Sequence, residues 1–143
     1  MPPHIYYNLK LGKAGDEASL DSQYIIATGE GVPTTFVYLD GADENPFTNW
    51  LVWAANSTEA AFPMVHSLSL GAPEDEVGAT IIGRMNTEMA ALGARGVTVI
   101  FASGDGGYSP QLNFGAASPY VLSVGGVYNG ELRSQKVRFI LFY

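Results

Sequence analysis

The chain has 143 residues, enough for one ordinary domain with a core of its own, and at 47% hydrophobic and 15% charged residues its composition is globular, not disordered. A formal charge of −7 argues against nucleic acid as a partner, because phosphate would be repelled, and it suits work at low pH, where protonation brings the charge toward zero. Cysteine is absent, which excludes disulfides and thiolate metal sites, and no apolar run reaches the roughly 18 residues that a membrane span needs.

The opening, MPPHIYYNLKLGK, lacks the continuous apolar core of a signal peptide, so either the protein is not secreted or its true start lies upstream. A first helix is predicted from about Asp16 to Thr28. Acidic residues open it, where the helix dipole favours them, and Ala18, Leu20, Tyr24, Ile25 and Ala27 supply its apolar positions. Gly29, Gly31 and Pro33 end it. TTFVYL, from Thr34 to Leu39, reads as a buried strand. Asp40 to Pro46 reads as a polar loop, and Phe47 to Asn56 as a short helix carrying Trp50, Leu51 and Trp53.

VHSLSL, from Val65 to Leu70, alternates apolar and polar residues and is predicted to be a strand, broken by Gly71 and Pro73. A long helix is predicted from about Glu74 to Arg95. Its acidic start (Glu74, Asp75, Glu76) and its basic end at Arg95, followed by Gly96, suit the dipole and a C-cap. VTVIFA, from Val97 to Ala102, is the short continuous apolar run expected of a central parallel strand, and Tyr120 to Val124 gives a further strand. Strands alternating with helices predict an α/β fold with a mostly parallel sheet and right-handed crossovers. Val127 to Tyr143 differs in character: it holds Arg133, Lys136 and Arg138, three of the seven basic residues, and ends in an apolar FILFY. That stretch reads as a truncation or the product of an odd gene model, or else as a terminal edge strand.

Three carboxylates carry the chemical interest. Glu17 and Asp21 stand four apart, on one face of the predicted first helix. They form either a solvated acidic face or a coupled pair. Two carboxylates about 6 Å apart in an effective dielectric of about 20 repel by roughly 2.8 kcal/mol. Such a pair tends to share one proton below neutrality, and its remaining charge is able to act as a general base toward a hydroxyl. Asp105 lies in SGDGG, after the apolar strand 97–102. It is either a turn aspartate bonding the amides of Gly106 and Gly107, or a carboxylic acid that donates a hydrogen bond to an oxyanion. Gly104, Gly106 and Gly107 do not make a dinucleotide loop: Ser109 stands where the further glycine belongs, and a Walker lysine is absent. His4 and His66 are the only histidines, and His66 reads as a satisfied core residue. Ser103, Ser109, Ser118 and Ser123 all lack the G-x-S-x-G elbow, and Tyr24, Trp50, Trp53 and Phe101 read as core.

The runs GKAGDEASLDSQY, HSLSLG, RGVTVIFASGDGG and ASPYVLSVGG, in this order and at this spacing, resemble the sedolisin family of serine-carboxyl peptidases from about Gly12 to Gly126. The resemblance implies a subtilisin-like, three-layer α/β fold with a mostly parallel sheet, and peptide-bond hydrolysis at acid pH by a serine nucleophile. It implies that Glu17 is the base, that Asp21 orients it, and that Asp105 belongs to the oxyanion hole. Ser67, Leu68, Ser69 and Gly71 resemble the strand that lies along bound peptide, with Ser103 and Gly104 as further substrate-binding positions.

The departures are specific. The family's nucleophile sits in a GTS-containing motif, and none occurs in these residues. The family's calcium site falls in a C-terminal part that is not present, so neither a cofactor nor a metal site is expected here. Gly106 replaces a serine, Gly115 replaces a proline, and Val127 replaces the threonine of a VGGT-like end. Residues 1–126 are therefore expected to be a partial peptidase domain and 127–143 a divergent tail. The expected function is that of a fragment of an acid serine-type peptidase, exopeptidase or endopeptidase, acting on peptide or protein and inactive alone. The alternative is a non-catalytic module that binds peptide or a partner on the same fold. The resemblance implies a lysosomal, vacuolar or extracellular compartment and leaves the oligomeric state open. A parallel sheet lacking its remaining strands is expected to be marginally stable or to aggregate.

Overall fold

The computed structural model describes residues 16–37, 46–58, 62–105, 107 and 111–126. The chain divides into two compact units, Met1–Trp50 and Leu51–Tyr143. Its elements in chain order are α1 (Asp16–Thr28), α2 (Pro46–Asn56), β1 (Val65–Leu68), β2 (Ala72–Pro73), α3 (Glu74–Val77), α4 (Ala79–Ala94), β3 (Thr98–Ala102), β4 (Asn113–Phe114) and β5 (Leu122–Val124). Of the sequence expectations, those on His4, Gly106, Ser109 and the 127–143 tail fall outside the described residues.

In the first unit, α1 has the predicted bounds. Ser22 Oγ donates to the Ala18 carbonyl and Thr28 Oγ1 to the Tyr24 carbonyl, each at 2.6 Å, so both hydroxyls bond back one turn along the helix. The helix ends where predicted, with Gly31 at φ +80° and Val32 N–H donating to the Gly29 carbonyl at 2.9 Å. The strand expected from Thr34 to Leu39 does not form over residues 34–37, and Phe36 and Val37 are exposed. A strand exists by pairing and by burying a face, and β-rich composition alone supplies neither. Thr34 Oγ1 instead bonds the nearby Val32 carbonyl.

α2 runs across the boundary between the units. Pro46 opens it, at the position where a missing N–H costs nothing. Phe47, Trp50, Leu51 and Ala54 are buried, a stripe at spacings of three and four along one helical face.

The second unit holds a parallel three-stranded sheet in the order β1-β3-β5. The architecture is α/β with a mostly parallel sheet, as predicted. His66 pairs with Val99 and Leu68 with Phe101, and all four side chains are buried on one face. Met85, Met89 and Leu92 of α4 are buried at helical spacing, and α4 packs against β3. Each such large side chain, fully buried, contributes roughly 1.5–3 kcal/mol.

The predicted helix from Glu74 to Arg95 is two helices. Gly78, at φ +86° and ψ 142°, adopts a conformation open almost only to glycine and divides α3 from α4. α4 then ends in a Schellman cap: Val97 N–H donates to the Leu92 carbonyl at 3.0 Å, Gly96 N–H to the Gly93 carbonyl at 2.9 Å, and Gly96 takes φ +86°. The dipole expectation for Arg95 is corrected as well. Its guanidinium leaves α4 and donates to the Ala54, Ala55 and Ser57 carbonyls at 3.0, 3.3 and 3.1 Å, so it closes the C-terminus of α2.

A second, antiparallel sheet was not predicted. It pairs Ala72 with Phe114 and Pro73 with Asn113, two residues per strand. So short a ladder leaves almost no periodic signal, and a Pro in it reads from sequence as a breaker.

Candidate active site

α1 carries Glu17 and Asp21 one turn apart, and Asp21 is half-buried. The neighbouring hydroxyl of Ser22 is turned back onto the Ala18 carbonyl.

In the second unit, the candidate substrate positions gather at the carboxyl ends of β1 and β3, where open α/β sheets bind ligands. Ser67 is opposite Ile100, and Leu68 is opposite Phe101. Leu68 points into the core and Ser67 is exposed, as the alternation of a strand requires. Ser69, Leu70 and Gly71 continue past the last residue that pairs with β3. Among the described residues β1 is an edge of its sheet, and an extended peptide is able to add to such an edge through backbone hydrogen bonds.

The end of β3 is shaped by its backbone. Ser103 N–H donates to the Val124 carbonyl at 2.8 Å, which holds the chain to β5 one residue past the strand. Gly104 then turns at φ +94°, Asp105 stands exposed in a bend, and Gly107 takes φ +65°. Ser103, Gly104 and Asp105 are thus consecutive residues of one bend, beside the end of the strand that carries Ser67 and Leu68.

Asn113 of β4 joins this group, and no sequence signal marked it. Its carboxamide lies between Gly71 and Gly104: Nδ2 donates to the Ser103 carbonyl at 3.5 Å, a Cβ at Gly71 would stand 3.3 Å from it, and a Cβ at Gly104 would collide with it. An asparagine in a loop is ordinary by type, and only the short β2–β4 pairing brings it here.

His66 is a core residue, as expected. It is 7% exposed, Nε2–H donates to the Pro63 carbonyl at 2.9 Å, and the rings of Phe62 and Trp53 lie 5.0 and 5.8 Å away. Burial away from water holds its imidazole below the usual histidine range, against a smaller raising effect of the Pro63 bond. Ser118 is structural too: its Oγ donates to Asn86 Oδ1 at 2.6 Å and accepts from Tyr120 N–H at 3.3 Å.

Gly115, where the resemblance implied a proline, has a structural setting of its own. Gly115 takes φ +92°, which the proline ring forbids, and a Cβ there would meet the Phe101 ring at 2.6 Å. Among the described residues, no cluster of three or more His, Asp or Glu could hold a metal ion, and no helix is long and apolar enough to cross a membrane.

No family model matches the chain. Among curated proteins it is 41% identical over 126 residues to tripeptidyl-peptidase 1 of Bos taurus and of Homo sapiens, and 40% identical to that of Mus musculus. These matches take in 80% of this chain but 22% of each relative, so the chain spans about a fifth of their length. Over the matched stretch this chain is similar to a part of tripeptidyl-peptidase 1, a peptidase of the sedolisin family, in keeping with a partial domain.

Proposed function

We propose that this chain carries the carboxylate half of an acid serine-peptidase site. In this reading Glu17 takes the proton of a serine hydroxyl and Asp21 orients Glu17, while Asp105 donates a hydrogen bond to the oxyanion of the tetrahedral intermediate. Such a donor must be protonated, which fits work in acid. Peptide or protein substrate lies along Ser67, Leu68, Ser69 and Gly71, with its reacting carbonyl toward Ser103 and Gly104. The observation that carries the reading is the 41% identity to tripeptidyl-peptidase 1 over 126 residues, 80% of this chain. The tripeptidyl cleavage named in those relatives is the proposed activity of a whole enzyme. An acidic compartment, lysosomal, vacuolar or extracellular, goes with it.

These 143 residues hold no GTS-type serine, so the chain by itself lacks the group that forms the acyl-enzyme. We expect the purified chain to bind an uncleavable tripeptide amide at about pH 4, in the range where carboxyl groups exchange protons, and to release no product from tripeptide reporters there. Turnover by the chain would overturn the missing-nucleophile argument. Failure to bind would remove the peptide-edge assignment. A second reading, a non-catalytic module on the same fold, rests on that same absent motif. It is favoured if peptide binding is as strong at neutral pH as in acid and is unaffected by Asp105→Asn.

A further inference from the structure

We propose that Asn113 is a positioning residue for the bend at Ser103–Gly107, and through that bend for Asp105; the inference rests on the reading of Asp105 as the oxyanion donor. The bend leaves β3 beside Asn113 of β4, and Gly71, just past β1, lies against the same side chain. Its first turn is made by Gly104 at φ +94°, a conformation with little steric restraint of its own in glycine. Such a turn needs an outside contact to hold it in one path. Asn113 supplies that contact. Its Nδ2 donates to the Ser103 carbonyl at 3.5 Å, and its carboxamide fills the space a side chain at Gly104 would take.

The mount of this side chain is rigid. Asn113 pairs with Pro73 across β2–β4, its carbonyl accepts from Ala117 N–H at 3.0 Å, and the next residue, Phe114, is 1% exposed. One residue earlier, the Leu112 carbonyl accepts from Glu74 N–H at 3.1 Å, which ties the same segment to the start of α3. On its other side the amide touches the Gly71 position, at the end of the proposed peptide edge. A single carboxamide therefore lies between the end of the strand proposed to hold substrate and the bend that presents Asp105. Aspartate at 113 keeps the volume but removes the donor, and alanine removes both.

The 143-residue chain, compared as wild type, Asn113→Asp and Asn113→Ala, tests this by amide exchange. The Ser103 amide, bonded to Val124, is the reporter. Both variants are expected to speed its exchange about tenfold or more, with the amides of β1 and of residues 99–101 changed less than about twofold. The Gly104 backbone shifts, which report its φ, are expected to move in both. A second arm keeps the test decisive if the alanine variant folds poorly: Gly104→Ala is expected to lower the urea midpoint less in the Asn113→Ala background than in wild type, because the collision is gone.

Unchanged Ser103 exchange in Asn113→Asp, or an equal Gly104→Ala effect in both backgrounds, overturns the proposal. A uniform rise through β1 and β3 does so too, since it would make Asn113 a residue of the fold in general. Titration with the uncleavable tripeptide amide separates the two levels. A wild-type chain that binds no peptide, with the bend still loosened in the variants, sinks the peptidase reading and leaves Asn113 in place as the clamp.

Discussion

Gly115 is a single position where the local fold asks for glycine. A Cβ there would press on Phe101, which is fully buried, and the left-handed backbone adds its own strain. The strain costs about 1–2 kcal/mol for an L-residue, and forcing a methyl into a packed site about 1–3 more. Gly115→Ala is therefore expected to destabilise the chain by about 2–5 kcal/mol, read as a lower urea midpoint at an unchanged slope. A midpoint within error of wild type would mean that Phe101 gives way freely. The same residue-level view explains which candidate residues were legible. Glu17, Asp21 and Asp105 announce themselves by charge and by glycine neighbours. Asn113 has neither, and the pairing that places it spans two residues per strand.

The elements that were read correctly are those whose causes are local. α1 has its predicted ends because the glycines and Pro33 that stop it are adjacent in sequence. α2 was legible from its apolar stripe, and β3 from its apolar run. The failures arise where an element depends on something remote. Residues 34–37 have strand composition without pairing, and Gly78 divides a helix whose residues on both sides favour one. Arg95 belongs to the second kind. Its place at the end of α4 pointed to α4, yet its guanidinium closes α2 and lies over the Phe62 ring at 5.2 Å. Arg95 is exposed, so water and salt weaken each contact, and Arg95→Ala is expected to cost about 1–2 kcal/mol. Amide exchange should rise first at the last turn of α2, Ala54 to Asn56. Arg95→Lys is expected to recover less than half of the loss, because an ammonium lacks the planar fork that reaches three carbonyls. Full recovery by lysine would reduce the interaction to charge alone.

At the scale of the whole molecule two responses to acid oppose each other. The chain carries a formal charge of −7 at neutral pH, and protonating its carboxylates in acid relieves that self-repulsion. His66 acts in the other direction, and at higher pH. Its folded form is held below the ordinary histidine value of 6.5 by burial. Above 6.5 both folded and unfolded chains carry it neutral, and it has no effect on the pH dependence. As pH falls through 6.5 the unfolded chain takes up the proton first, so the unfolded state binds more protons and stability falls with pH. The fall continues until the pH reaches the folded value, below which both states are protonated and the penalty stays constant. Arg95 lies over Phe62, itself packed on the His66 ring. The chain is therefore expected to lose stability as pH falls through 6.5. Urea midpoints measured on both sides of that pH in wild type and His66→Phe decide the matter. The variant leaves the Pro63 carbonyl without its ring donor and starts from a lower midpoint, but its profile should be flatter. A profile as steep as that of wild type would move the acid sensitivity away from His66. The flattened profile would show that a chain whose net charge falls toward zero in acid carries one core residue that acid works against.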